Sequence, residues 1–189
     1  MKDAESSKIA VLSAPTCAGK TTLANHLVDQ TPLAFATSAT TREPRRNEEH
    51  GDDYYFLTQN EFRDLIQSDK LIEYETVHGE YYGTLASELY EPEPVLLDID
   101  VKGALNVKQR FLDALLIFIA PPSLDVIESR LRRRGEHDQK DVKSRLQRAE
   151  QEMTYQDKFD KIIVNDELRQ AKQQITKLVT TYLDETKNR

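Results

Sequence analysis

Ala14-Pro15-Thr16-Cys17-Ala18-Gly19-Lys20-Thr21-Thr22 follows the apolar run Ile9-Ala10-Val11-Leu12 and precedes Leu23-Ala24-Asn25-His26-Leu27. The order is strand, tight loop, helix, with Gly19-Lys20-Thr21 where the loop turns into the helix. A helix start leaves backbone N–H groups unpaired and carries a partial positive charge, so it favours phosphate oxygens. Lys20 can reach the β- and γ-phosphates of a nucleotide, and the Thr21 hydroxyl can ligate Mg²⁺, partly through water. The stretch from Ala14 to Thr22 is therefore expected to bind a nucleoside triphosphate. It departs from G-x-x-x-x-G-K-[ST] at Ala14, a replacement small enough for most turns unless φ must be positive.

Outward from this loop, short apolar runs recur at Ile9–Leu12, Val95–Ile99, Ala114–Ile119 and Ile162–Val164. Their Val, Ile and Leu content suits strands buried on both faces of a parallel sheet. Helical spacing occupies Thr22–Val28, Ser123–Arg134, Asp141–Tyr155 and Glu167–Leu183. Alternation of this kind predicts right-handed βαβ crossovers and a three-layer α/β fold. Two segments interrupt it. Residues 37–90, rich in Thr, Tyr, Glu and Arg, predict an inserted lobe of short strands with a helix near Gln59–Ser68, and residues 126–148 predict a basic helical segment flexing at Arg134-Gly135.

At 189 residues the chain is long enough for one well-buried domain. A formal charge of −7 argues against broad nucleic-acid binding. Yet eight Lys or Arg stand against three acids between Arg130 and Arg148, which points to a compact anion neutralised there; a solvated helix face is the alternative. No apolar stretch approaches the roughly 20 residues needed to span a bilayer. The polar N-terminus has no secretory core, and the single cysteine, Cys17, fits a reducing, cytoplasmic compartment.

A second substrate site is expected in the inserted lobe. Arg42, Pro44 and Arg45 sit in Ser38-Ala39-Thr40-Thr41-Arg42-Glu43-Pro44-Arg45-Arg46, and Tyr54 in Asp53-Tyr54-Tyr55-Phe56. Planar guanidinium groups match phosphate bidentately, with Ser and Tyr hydroxyls completing the contacts. Further on, Val95-Leu96-Leu97-Asp98-Ile99-Asp100 is an apolar strand ending in two acids, where α/β folds place ligands. One of these acids can hold Mg²⁺ through water or meet the second substrate.

With these pieces in hand, the chain resembles the guanylate kinases, P-loop enzymes that move a phosphoryl group from ATP to GMP. The resemblance rests on the phosphate loop, S-x-T-T-R-x-P-R, D-Y-Y-F, I-E-Y, Y-Y-G-T, L-D-I-D, I-A-P-P-S, R-x-x-x-R-G and I-V-N-D, in family order from about residue 8 to 183. It implies a three-layer P-loop kinase fold with a central parallel sheet (core 1–36, 91–125 and 149–189), a GMP-binding lobe at 37–90 and a small helical lid at 126–148. Ser38, Arg42, Arg45, Tyr54 and Tyr82 would hold the GMP phosphate. Glu73, Thr84 and Asp100 would face guanine, with Gly83 and Asp98 beside them. Lys20, Arg45, Arg134 and Arg145 would carry catalysis, the last two swinging over the phosphates. Asn165-Asp166 match the adenine-side contact and equally suit a helix N-cap before Glu167–Leu183. ATP and GMP would be the substrates, Mg²⁺ the cofactor; the chain would be a monomer or homodimer.

The guanine assignment has a physical basis. Guanine donates from N1 and N2 together to one carboxylate, whereas adenine offers an acceptor at N1. A buried site built on such pairs rejects the wrong base by about 10⁴-fold. Thr84 can donate to O6. Three departures from the family stand out: Ala14, Cys17 in a position where glycine is common, and Lys102 where glutamine is common, adding a charge near Asp98 and Asp100. Cys17 is expected to be tolerated if that residue keeps φ negative, its side chain then pointing away from the phosphates. Two competing readings remain: a phosphopeptide-binding module built on the same fold, and a kinase acting on ribose 1,5-bisphosphate. The intact loop opposes the first, and the Glu73–Thr84 pair opposes the second.

Overall fold

The computed structural model describes residues 8–77, 79–89, 94–133, 135 and 138–185. At its centre β1 (Ile9–Ser13) is buried along its whole length. It lies between β7 (Val95–Asp98) and β8 (Leu115–Ala120), and β2 (Ala34–Phe35) and β9 (Lys161–Val164) complete a parallel sheet of order β2-β7-β1-β8-β9. Because successive side chains point to opposite faces, β1 supplies two cores. Ala10 and Leu12 pack with Leu23, Ala24 and Leu27 of α1 (Lys20–Gln30) and with Ala171, Ile175 and Val179 of α6 (Leu168–Asp184). Ile9 and Val11 pack on the other face with Val101, Ala104 and Val107 of α3 (Val101–Arg110). The result is helix, sheet, helix, as the alternation predicts.

The sequence reading placed no helix at 101–110. Asp100 starts it, its side chain accepting from the Gly103 N–H at 2.8 Å. The apolar spacing of Val101, Ala104 and Val107 gives the buried face.

A second sheet, of order β4-β3-β6-β5, is built from β3 (Ser38–Thr40), β4 (Tyr55–Phe56), β5 (Leu71–Val77) and β6 (Glu80–Leu85). β6 runs antiparallel to both β3 and β5, while β3 and β4 are parallel. Its small core gathers Ala39, Leu71 and Phe62 of α2 (Gln59–Gln67), whose start carries a reciprocal Thr58–Glu61 capping box. On the other side of the phosphate loop, α4 (Leu124–Arg133) and α5 (Gln139–Met153) pair around Ile127, Leu131, Val142 and Ala149. Among the described residues no helix is long and apolar enough to cross a membrane.

Candidate active site

The phosphate loop crosses from β1 into α1 and holds its shape through four contacts. Ala18 N–H donates to Pro15 C=O at 3.2 Å, closing a turn with Cys17 at its third position. Asn165, 4% exposed at the end of β9, donates from Nδ2 to Ala18 C=O at 2.8 Å. Arg130 on α4 donates from its two terminal nitrogens to Cys17 C=O (3.0 Å) and Asn165 C=O (3.2 Å). Gly19 has φ 93°, and a Cβ there would lie 2.3 Å from Asn165 Nδ2, so only glycine fits.

Cys17 does not meet the condition of a negative φ. Its φ is +58°, in the left-handed region, at the third position of the turn that Ala18 closes onto Pro15. The side chain packs partly buried against the α4–α5 cluster, which offsets some of that strain. Ala14 is not among the residues with positive φ, so its replacement of glycine is tolerated as expected. Lys20 at the first turn of α1 donates to Ile99 C=O at 2.9 Å and pairs with Asp98 Oδ1 at 2.5 Å. The register of β1 with β7, Leu12 opposite Asp98, places that carboxylate beside the loop. Thr21 and Thr22 are exposed at the same helix start, and Pro15 and Thr16 line the turn behind it.

Two clefts flank the loop. One, about 160 Å³, lies between the sheets and is lined by Lys20, Ser38, Tyr54, Glu73, Glu75, Val77, Tyr82, Gly83, Asp98, Ile99 and Asp100. In its depth Glu73, 7% exposed, accepts from Thr84 Oγ1 at 2.8 Å. Burial pushes the Glu73 carboxyl up to about 7, against the lowering effect of the Thr84 bond, and the Asp100 charge pushes the same way. The other cleft, about 350 Å³, is lined by Cys17, Gly19, Thr22, Arg130, Arg133, Asn165, Asp166 and Leu168. The N-terminus of α1 thus stands between a cleft with a buried carboxylate and a cleft rimmed by arginines.

Comparison with known proteins agrees with this geometry. The guanylate kinase family model matches residues 6–182. The chain belongs to the guanylate kinase family. It is 48% identical over 181 residues to a guanylate kinase of Salinibacter ruber, covering 93% of this chain and 96% of that one. It is 44% identical over 184 residues to one of Chlorobium chlorochromatii, covering 94% and 97%. The crystal structure of guanylate kinase from Anaplasma phagocytophilum superposes with a TM-score of 0.75 at 30% identity, covering 93% of this chain and 86% of that one.

Of the residues singled out by resemblance to the guanylate kinase family, most of the acceptor set lines the smaller cleft, but not all. Arg42 is absent from its lining; it lies over the rings of Tyr54 (5.4 Å) and Phe56 (5.7 Å), behind Tyr54 and Tyr82. Arg45 is 77% exposed on its loop and Arg145 is exposed on α5. Arg134 lies outside the described residues. Thr84, 1% exposed, gives its proton to Glu73 and does not stand open for a guanine O6. Asn165 and Asp166 do not cap α6: that helix begins at Leu168 after Glu167, which makes no side-chain cap bond, and the Asn165 amide is spent on the phosphate loop. Lys102 pairs with Glu75 (3.6 Å), an acid that lines the same cleft as Asp98 and Asp100.

Three residues escaped the sequence reading. Gly103 is the floor under Glu73, since a Cβ there would lie 2.6 Å from Glu73 Oε2. Glu152 on α5 accepts from Arg148 Nε at 2.7 Å, and burial raises its carboxyl in the combined field of Asp100 and Lys20. Glu48 grips Arg42. Only Gly103 left a signal, as a small residue three positions after a capping Asp.

Proposed function

We propose that this chain transfers the γ-phosphoryl group of ATP to GMP, giving ADP and GDP, in purine nucleotide metabolism. The observation that carries it is the phosphate loop set between two clefts, one of which contains a buried carboxylate suited to guanine's paired donors. An ionised Glu73 accepts from N1–H and N2–H, and Asp100 on the same wall adds a second acceptor. Ser38, Tyr54 and Tyr82 would meet the GMP phosphate, backed by Arg42 and reached by Arg45 as the loop closes. On the far side Asn165, Asp166 and the exposed face of Leu168 would border the adenine ring of ATP.

Lys20 would leave Asp98 and Ile99 for the β- and γ-phosphates, offsetting the repulsion between two anionic substrates. Arg134 and Arg145 would add charge stabilisation from the lid. Mg²⁺ fits the residues present: Thr21 is exposed at the helix start, Asp98 stands beside Lys20, and among the described residues no cluster of three or more potential ligands forms a closed cage. Such openness suits an ion held largely by phosphate oxygens and water. When bound it would neutralise phosphate charge, with Thr21 as ligand.

We divide the chain into a core (1–36, 91–125, 149–189), an acceptor lobe (37–90) and a lid (126–148), the latter two moving toward the core to exclude water. Their separate small cores support this division. The lone Cys17 supports a cytoplasmic setting. The deciding experiment offers GMP, AMP, UMP and a phosphosugar as acceptors with Mg·ATP. GMP should exceed AMP by about 10⁴-fold in kcat/KM; equal rates would overturn base recognition.

A further inference from the structure

Glu48 is a carboxylate paired with Arg42, an arginine that on the reading above backs an anion site. Its Oε2 accepts from Arg42 NH1 and from the Arg45 backbone N–H, both at 2.8 Å. Its Oε1 accepts from Arg42 NH2 at 3.1 Å and lies 3.9 Å from Arg45 NH1. The Glu48 N–H in turn donates to Arg45 C=O at 3.0 Å, closing the Arg45–Glu48 turn. The side chain is only 16% exposed, and the Arg42 hydrogen bond holds its carboxyl below the usual range.

The donor inventory of Arg42 shows what this leaves. A guanidinium has five N–H donors. NH1 gives one to Glu43 C=O and one to Glu48, and NH2 gives one to Glu48. The remaining NH2 and Nε donors belong to the edge away from Glu48. Tyr82, which also interacts with Arg42, lines the acceptor cleft beside Tyr54. The guanidinium is thus clamped along one edge by a carboxylate and stacked over Tyr54 and Phe56.

Two roles are open to such a carboxylate, and they have opposite signs. As a competitor it would occupy Arg42 until phosphate displaced it. As a brace it would fix the guanidinium so that its other edge meets phosphate without further loss of rotamer freedom. The bond to the Arg45 backbone decides between them. A competitor needs only the guanidinium, whereas this carboxylate ties both arginine-bearing positions across Pro44 into one unit.

We propose that Glu48 is a positioning residue for the acceptor phosphate, acting through Arg42 and the Arg45 backbone, so that its negative charge strengthens the binding of a phosphate monoester. The proposal rests on the GMP reading above. The test titrates wild type, Glu48→Gln, Glu48→Ala and Glu48→Asp with GMP and with guanosine by calorimetry, alongside steady-state KM for both substrates. In the Gln and Ala variants GMP affinity should fall about 10- to 100-fold, the scale of a charge-assisted hydrogen bond. Guanosine affinity and the KM for ATP should hold within about twofold, and Asp should restore part of the loss. Unchanged or tighter GMP binding would overturn the proposal, as would a parallel loss for guanosine, which marks a merely loosened lobe. A wild-type protein indifferent to GMP would instead overturn the acceptor reading itself, and this proposal with it.

Discussion

The two ends of the acceptor cleft are built on opposite principles. At the base end a carboxylate is buried without a cation: Glu73 has Thr84 as its hydrogen-bond donor, Gly103 as its floor and Asp100 as an anionic neighbour. At the phosphate end the charges are already matched, Lys20 with Asp98 and Arg42 with Glu48. The base end therefore stores an unmet demand for donors, which on the proposed reading guanine's paired N–H groups would satisfy and adenine would not. The phosphate end stores none, and binding there proceeds by exchange or by use of a remaining edge. On the function proposed above, selectivity would belong to the first end and catalysis to the second.

Lys20→Ala strikes the phosphate end and should have the largest effect: turnover falls about 10³-fold, while GMP affinity measured by calorimetry stays near wild type. Near-normal turnover would remove Lys20 from the mechanism and with it half of the contrast.

Glu73→Gln tests the base end, with a loss of about 10²-fold in kcat/KM for GMP and a narrowed margin over AMP. The wild-type pH profile sharpens this. Only the ionised carboxylate accepts from both guanine donors, so with the Glu73 carboxyl raised to about 7, the KM for GMP should climb as pH falls from 8 to 6. In the Gln variant that climb should vanish. Stability should move the other way. The folded value lies above the unfolded one, so the stabilisation from the protonated form is complete below the ordinary value of 4.5 and lost as pH rises through 7. Glu73→Gln, neutral throughout, should therefore be more stable to unfolding than wild type at pH 8, by up to about 3 kcal/mol in denaturant titration, and gain little at pH 5.

Gly103→Ala should displace the Glu73 carboxylate from α3, raising the KM for GMP about tenfold with the KM for ATP unchanged. Cys17→Gly should do least. Release of backbone strain and loss of packing against α4 and α5 are each about 1 kcal/mol, so the melting temperature should shift by no more than about 4 °C, with GMP parameters untouched.

The main strands of the core were legible because fully buried parallel strands leave continuous apolar runs, as at Val95–Leu97 and Leu115–Ile119; the two-residue β2 and the order of the sheet left no such trace. α3 was not, because Asp100 had been read as a ligand and its second role as a cap went unseen. The phosphate loop was recognisable as a motif, but not its conformation: the φ of Cys17 depends on a turn closed by Pro15 and on contacts from Asn165 and Arg130, far away in sequence. Gly103 and Glu48 act on other side chains, and such indirect support leaves little trace in residue type. Thr84 was expected to face guanine, yet its hydroxyl donates to Glu73, a pairing that only three-dimensional proximity reveals.

The close fit between Gly19 and the Asn165 amide carries an evolutionary consequence. Asn165 lies 147 positions beyond Ala18, whose carbonyl it holds, and it fills the space a methyl group at position 19 would need. The nucleotide loop is consequently no portable cassette: grafted onto another strand and helix, residues 14–22 would lose their distant buttress. A shorter residue at 165 would remove the steric clash at position 19 but not the cost of its φ of 93°, so glycine there is held by two independent constraints.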